Sequence, residues 1–177
     1  MTLLSRRTGL VIAALAQVGV LGYIFAERVR LLSSPTEIVL PVVPVDPRDL
    51  FRGDYVILGY DITTIKASPE VVKEVDLHGQ FNVLIEKGAD ERWTGTLVGA
   101  KVPATTPGQL VVKARLAPNQ FRNGKLVRND GTLRVRYGIE SYFVPQHSGR
   151  ALEKQAQERK LSILAAVGSS GDLAIKG

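Results

Sequence analysis

The sequence predicts a mainly β protein that carries a transmembrane helix at its N-terminus. An uncharged apolar segment occupies residues 8–26, short runs of alternating apolar and polar residues follow it, and turn sequences separate these runs. Short strands at close intervals are typical of an antiparallel β-barrel or a sandwich-like domain, here with one or two short helices. We therefore divide the chain into a membrane anchor (1–30), a proline-rich tether (31–52) and an exported β-rich domain (53–177).

The N-terminal segment has the length and flanks of a membrane span. A helix over residues 8–26 rises about 28 Å, which is close to the thickness of a bilayer's hydrocarbon core. Arg6 and Arg7 precede it, and Arg28 and Arg30 follow it. Cationic residues differ little between the two sides, so the short N-terminal tail decides the expected orientation, with the large C-terminal part exported.

Three interpretations of this segment compete. A buried core helix usually has a polar stripe, and this segment is apolar on all sides. A cleaved signal peptide needs small residues before the cleavage site, whereas the only candidate is Ile24-Phe25-Ala26. We expect the third alternative, an uncleaved single-pass anchor.

The exported part is expected to begin with extended chain. Prolines at 35, 41, 44 and 47 disfavour a helix over residues 31–52. We expect a tether that contains short strands at 38–40 and 42–43 and joins the sheet at its far end.

Residues 53–65 are predicted to form one strand. Side chains alternate along a strand, so Val56, Leu58, Tyr60 and Ile62 should share a buried face, with Tyr55 at least half covered on the other.

Further strands and turns complete the domain. We predict strands at 80–86, 92–98, 109–116, 132–143, 161–167 and 172–175, with turns at 87–90, 123–124, 129–131 and 168–171. We predict short helices after Ser68, which can cap one that begins at Pro69, and over 151–160.

The composition argues against several kinds of site. The chain has no cysteine, which excludes disulfides, thiolate metal sites and Cys nucleophiles. His78 and His147 are far apart in sequence, so we expect no metal and no cofactor. The net charge of +6 falls to +3 without residues 1–30, and we expect no nucleic-acid partner.

Two patterns could support hydrolysis, and neither is convincing. Asp54 and Asp61 would lie roughly 23 Å apart along a strand, too far for an acid–base dyad. Turn capping is the simpler role for Asp46, Asp49 and Asp54. Signal peptidase-type enzymes use a Ser nucleophile and a Lys base near the bilayer, where this chain has Ser33-Ser34. Pro47, Leu50, Gly53 and Asp54 follow in an order faintly similar to theirs. A divergent membrane-anchored hydrolase is therefore the alternative to a non-enzymatic protein.

A basic run is the clearest candidate for binding. Lys113 and Arg115 alternate with apolar residues in one predicted strand, and Arg134 and Arg136 do so in another. If these strands are neighbours, four cations share one face, where like charges cost stability unless solvent or an anion intervenes. The alternatives are an ordinary solvated face and contact with anionic lipid headgroups or an acidic partner.

Two blocks of sequence resemble the GDYXXLXY family of membrane-anchored bacterial proteins. The first is GDYVILGY at 53–60 and the second is GIESYFVP at 138–145. The segments 45–52 and 161–176 are also similar to that family. The motif positions are Gly53, Asp54, Tyr55, Leu58, Tyr60, Gly138, Glu140, Tyr142, Phe143 and Pro145.

The resemblance implies an anchored, extracytoplasmic domain in the bacterial inner (cytoplasmic) membrane. It also implies a multi-pass membrane protein as a partner, and it supplies no catalytic residues. From the residues themselves we expect the motif to be structural, with Glu140 as a hydrogen-bonded, partly buried carboxylate. The sequence thus favours a non-enzymatic interaction or assembly module.

Overall fold

A computed structural model describes residues 6–43, 55–99, 101–118, 120–122, 125–126, 131–143 and 161–176. Two α-helices and thirteen strands lie in these ranges. They are α1 (Arg6–Leu32), β1 (Glu37–Val43), β2 (Tyr55–Ile57), β3 (Gly59–Tyr60), β4 (Thr64–Lys66), α2 (Pro69–Glu74), β5 (Gln80–Lys87), β6 (Trp93–Leu97), β7 (Gln109–Leu116), β8 (Phe121–Arg122), β9 (Lys125–Leu126), β10 (Thr132–Arg136), β11 (Ser141–Phe143), β12 (Ser162–Val167) and β13 (Leu173–Ile175).

Helix α1 is longer than the predicted span, because it continues through the charged residues that follow. Residues Thr8–Leu32 are long and apolar enough to cross a membrane, and none of the residues in their most apolar stretch is buried in the protein. Leu10 and Phe25 are each 71% exposed. An apolar stretch of helix that is not buried in its own chain fits a bilayer environment better than water.

Part of the predicted tether is a strand inside a sheet. Strand β1 pairs with β12 from Glu37↔Ala166 to Pro41↔Ser162, and its end pairs with β3. The sheet order is β13-β12-β1-β3. Ile38, Leu40 and Val42 are buried, as strand alternation requires. Residues 44–52 lie outside the described part of the chain.

Five strands close into a barrel, which confirms the predicted fold class. The order is β10-β4-β6-β5-β7, with β7 returning to β10. All pairings are antiparallel except β4–β6, which is parallel. Side chains that alternate inward fill the barrel, and the following are at most 2% exposed: Ile65, Val83, Ile85, Val112, Leu133 and Val135.

Gly95 makes this interior packing close. A Cβ atom at residue 95 would lie 2.6 Å from Ile65 Cγ2 and 3.3 Å from Val83 Cγ1. The absent side chain therefore leaves room for the ring of branched residues around it.

Two predicted strands are interrupted. The strand predicted over 53–65 is divided into β2, β3 and β4 by Leu58 and by a 3₁₀-helix at Asp61–Thr63. The strand predicted over 132–143 is divided into β10 and β11 by a turn in which Gly138 has φ +84°. Long-range hydrogen bonds join the two interruptions: Leu58 N donates to Glu140 O, and the Tyr137 hydroxyl donates to Ile62 O.

Most local predictions are confirmed. Leu58, Tyr60 and Ile62 are buried as predicted, whereas the side chains of Tyr55 and Val56 are outside the described set. The β8–β9 and β12–β13 pairs flank the predicted turns. Ser68 Oγ accepts a hydrogen bond from Val71 N (3.4 Å) at the start of α2. The helix predicted over 151–160 lies outside the described residues.

Candidate functional site

The two sequence motifs meet at a pair of buried tyrosines. Tyr60 Oη donates to the carbonyl oxygen of Ile139 at 2.7 Å. Tyr137 Oη donates to the carbonyl oxygen of Ile62 at 2.8 Å. Tyr60 therefore binds the main chain of the second motif, and Tyr137, just before that motif, binds the main chain just after the first. We call this reciprocal arrangement, with Glu140, the tyrosine junction.

Glu140 fixes the turn that completes this junction. Its Oε1 accepts from Tyr137 N at 2.6 Å, and its Oε2 accepts from Gly138 N at 2.9 Å. Its carbonyl oxygen also accepts from Leu58 N at 2.8 Å. Charge-assisted bonds of this kind are among the stronger hydrogen bonds in proteins. The expected hydrogen-bonded, partly buried carboxylate is confirmed, and its role here is to hold the turn.

The tyrosine hydroxyls are poor acids in this environment. Burial raises the pKa of Tyr60 and of Tyr137 far above the ordinary tyrosine value, and the nearby negative charge of Glu140 raises both further. Both phenols therefore stay protonated at neutral pH and act as hydrogen-bond donors. Their chemistry is structural, because each donates its proton to a main-chain carbonyl.

The basic residues predicted as an anion contact lie on neighbouring strands. Arg115 on β7 is directly opposite Arg136 on β10. Lys113 shares the outer face of β7 with Arg115, since Val112 and Ala114 between them point into the core. Both arginines are exposed. Like charges in opposed positions destabilise a strand pair unless an anion or solvent separates them.

Three of the four predicted cations line one concave surface. A groove of about 430 Å³ is lined by Lys113, Arg115, Arg136, Tyr137, Gly138, Glu140, Ser141 and Asp172, together with Gln80 and Ala114. We call it the basic groove. Arg134 is not part of the lining, because it lies farther along β10, opposite Thr64.

The acids of the basic groove already have partners. Asp172 Oδ2 lies 3.8 Å from Lys113 Nζ and accepts from Ser170 Oγ at 2.6 Å. Glu140 is occupied by its two main-chain donors. Among the described residues, neither Arg115 nor Arg136 has an ion-pair partner. The groove thus holds two guanidinium groups that form no ion pair within the described chain, and its three cations outnumber its two carboxylates.

The remaining candidate residues have other surroundings. Ser34 Oγ donates to the carbonyl oxygen of Val167 at 2.5 Å, so its proton is directed to main chain. Asp61 is 3.9 Å from Arg92 in a half-exposed ion pair. Tyr142 and Phe143 lie in β11, opposite Val56 and Tyr55 in β2. Ser33 N donates to Val29 O at 2.9 Å, just after the end of α1. Gly53, Asp54, Asp46, Asp49 and Pro145 lie outside the described residues.

Within the described ranges, no three His, Asp or Glu residues are close enough to hold a metal ion.

Sequence reasoning missed three contributors to this region. The alternation along the predicted strand 132–143 gives no sign of a role for Tyr137, although its hydroxyl completes the junction. Gly171 and Asp172 were assigned only to a hairpin, yet Gly171 accepts a hydrogen bond from Lys113 N at 2.8 Å. No local spacing indicates these contacts, because they join segments that are distant in sequence.

The comparisons with known proteins give one match. Residues 17–177 match a family model described as "GDYXXLXY protein". The search of curated proteins found no match, and neither did the search of solved structures.

Proposed function

This chain belongs to the GDYXXLXY family, and we propose that it is a single-pass, membrane-anchored interaction module. Its β-domain would lie outside the cytoplasm of a bacterial cell and serve a membrane partner without catalysing a reaction. The observation that carries the proposal is the junction between helix α1 and the β-domain, which is short and packed.

Several contacts support a fixed anchor. Ser34 Oγ donates to Val167 O, and Val167 N donates to Thr36 O at 2.9 Å. A Cβ atom on Gly168 would lie 2.8 Å from Leu31 Cδ1. A domain that is bonded to the end of its helix within a few residues keeps a set orientation to the membrane, which suits presentation of a surface to a partner.

The polar residue within the span supports a partner in the membrane. Gln17 lies in the middle of α1 among apolar residues. An amide in hydrocarbon is costly unless it forms hydrogen bonds, so polar residues in spans commonly pair with another helix. We propose that Gln17 faces a helix of a multi-pass membrane protein.

The non-enzymatic part of the proposal rests on the filled barrel and on occupied hydroxyls. The barrel interior is packed with branched side chains. The two tyrosines whose pKa values are strongly raised donate their hydroxyl hydrogens to main-chain carbonyl oxygens. Ser34, the candidate nucleophile of the alternative hydrolase, donates to a carbonyl oxygen where a base would be needed.

Anchoring and orientation can be measured on the full chain. Carbonate washing should leave the protein in the membrane fraction. Because the chain has no cysteine, a Ser169→Cys variant gives one thiol at an exposed position. A membrane-impermeant maleimide should label it in intact spheroplasts. Release by carbonate, or labelling only after lysis, would contradict the proposal.

The partner can be sought with a photo-reactive amino acid at position 17. Crosslinks to a membrane protein are expected there and should be weak at Leu15, which lies on nearly the opposite side of the helix. Equal crosslinking at both positions would indicate nonspecific proximity and would count against a helix partner.

A further inference from the structure

We propose that the basic groove binds the phosphate of an anionic lipid headgroup at the membrane surface where the anchor emerges. This inference rests on the proposed membrane anchoring and names a ligand for a surface that the proposal above leaves without one. Arg115 and Arg136 provide the binding groups, and Lys113 borders them.

The first argument is the like-charge pair itself. Arg115 and Arg136 are register partners on adjacent antiparallel strands, where opposed side chains start about 5 Å apart. Both are exposed, and among the described residues neither has an ion-pair partner. Two guanidinium groups at this spacing can converge on one phosphate, whose oxygens accept bidentate hydrogen bonds. A bound phosphate would turn a repulsive pair into an attractive site.

The second argument is the position of the groove relative to the anchor. The hairpin between β12 and β13 touches both. Gly168 packs against Leu31 near the end of α1, and Gly171 O accepts from Lys113 N on β7. Asp172 lines the basic groove and also a second concavity of about 740 Å³. That second concavity includes Arg28 and Arg30 of the helix end, so one short hairpin separates the anchor from the groove.

The third argument is the distance of the basic groove from the hydrocarbon core of the membrane. If residues 8–26 fill the hydrocarbon core, the following residues to Leu32 rise about 9 Å. A headgroup layer is about 5–8 Å thick on each side. Leu31 and the hairpin that touches it therefore lie at the outer edge of the headgroups. Arg115 is two residues from Lys113, which is bonded to this hairpin, so about 7 Å of strand separates the two residues. The long side chain of Arg115 can span that distance and reach the headgroups.

An acidic protein is the competing ligand. The lipid is favoured because the hairpin holds the groove beside the membrane whatever partner is present. An acidic segment would need no such proximity.

The test uses the full-length protein in a neutral detergent. Native mass spectrometry would count bound phosphatidylglycerol and phosphatidylcholine after titration with each lipid. We expect the wild-type protein to prefer phosphatidylglycerol. Arg115→Gln combined with Arg136→Gln should weaken its apparent affinity about thirtyfold, from the loss of two cations near the site.

Arg134→Gln is the matched control. It removes an equally exposed cation from the outer face of the same strand, outside the groove, and should leave the preference unchanged. An Arg28→Gln, Arg30→Gln variant measures headgroup contacts made by the helix end, so that these are not counted as groove binding. Trp93 fluorescence during unfolding verifies that each variant is folded. If the double variant is not folded, the single variant Arg136→Gln replaces it.

Three results with the lipids would overturn the inference. They are the absence of a preference for the anionic lipid, an unchanged preference in the groove variant, and displacement of the lipid by inorganic phosphate at equal concentration, which would indicate a site for free anions. Selective binding of a poly-glutamate peptide in place of lipid would also overturn it, in favour of an acidic partner. None of these results affects carbonate resistance or crosslinking at position 17, so failure here is distinguishable from failure of the proposed function.

Discussion

Removal of the Tyr60 side chain should destabilise the β-domain severely. Tyr60 is 1% exposed, and its hydroxyl is bonded to Ile139 O. Truncating a large buried aromatic residue to alanine costs about 3–5 kcal/mol through lost burial and a residual cavity. Since total stabilities are about 5–15 kcal/mol, Tyr60→Ala should lose a large share of the free energy of unfolding.

Tyr60→Phe separates the hydroxyl from the ring. It keeps the volume but leaves the buried carbonyl of Ile139 without this donor, at a cost of about 1–3 kcal/mol. If Tyr60 and Tyr137 brace the same two segments, Tyr60→Phe and Tyr137→Phe should not be additive. The second substitution should cost less once the first has loosened the junction.

The assay is thermal unfolding of the full-length protein in detergent. Trp93 is the only tryptophan and is buried in the domain, so its fluorescence reports the transition. For a domain of this size 1 kcal/mol shifts Tm by about 2–4 °C. Tyr23→Phe is the control, because Tyr23 lies exposed on the anchor helix. A Tm for Tyr60→Ala within a couple of degrees of wild type would refute the structural role and favour a binding role.

Three further predictions follow from the same structure. Gly95→Ala places a methyl group 2.6 Å from Ile65 Cγ2 and should cost about 1–3 kcal/mol by overpacking; an unchanged urea midpoint would contradict the close packing. Gly171 has φ +88° and lies against the main chain of β7, whereas the close neighbour of Gly168 is the end of a flexible leucine side chain. Gly171→Ala should therefore lower Tm more than Gly168→Ala does. A larger drop in Tm for Gly168→Ala would contradict this reasoning. Because the pKa of Tyr137 is raised in the folded state, the folded protein keeps this phenolic proton to higher pH than the unfolded chain does. The contribution of the protonated phenol to the free energy of unfolding is therefore complete below about pH 10 and declines above it. Tyr137→Phe should lose less stability than wild type between about pH 9 and 11.5, and parallel curves would count against the assignment.

Much of the local structure could be read from residue order. The capped helix after Ser68, the strand Gln109–Leu116 and the hairpin after Val167 all follow from propensities and periodicities over a few neighbouring residues. Alternation also placed Leu58 and Tyr60 in the core. These features depend on interactions between neighbours in sequence, which the sequence displays directly.

The basic face was predictable only in part. Alternation put Lys113 and Arg115 on one side of a strand, and Arg134 and Arg136 on one side of another. That Arg136 and not Arg134 lies opposite Arg115 depends on the register of β7 with β10. Strand register is set by closure of the barrel, and a shift of one residue would reverse every face.

The sequence by itself determined the long apolar N-terminal helix, the sites of most strands and turns, and the faces that are buried, because periodicity and residue preference act over short distances. Only the tertiary structure decided where strands break and which charges meet. Tyr60 binds a carbonyl 79 residues away, and Tyr137 binds one 75 residues away. Such contacts satisfy buried polar groups only after the barrel has closed, and no local pattern encodes which distant main-chain group will be in reach.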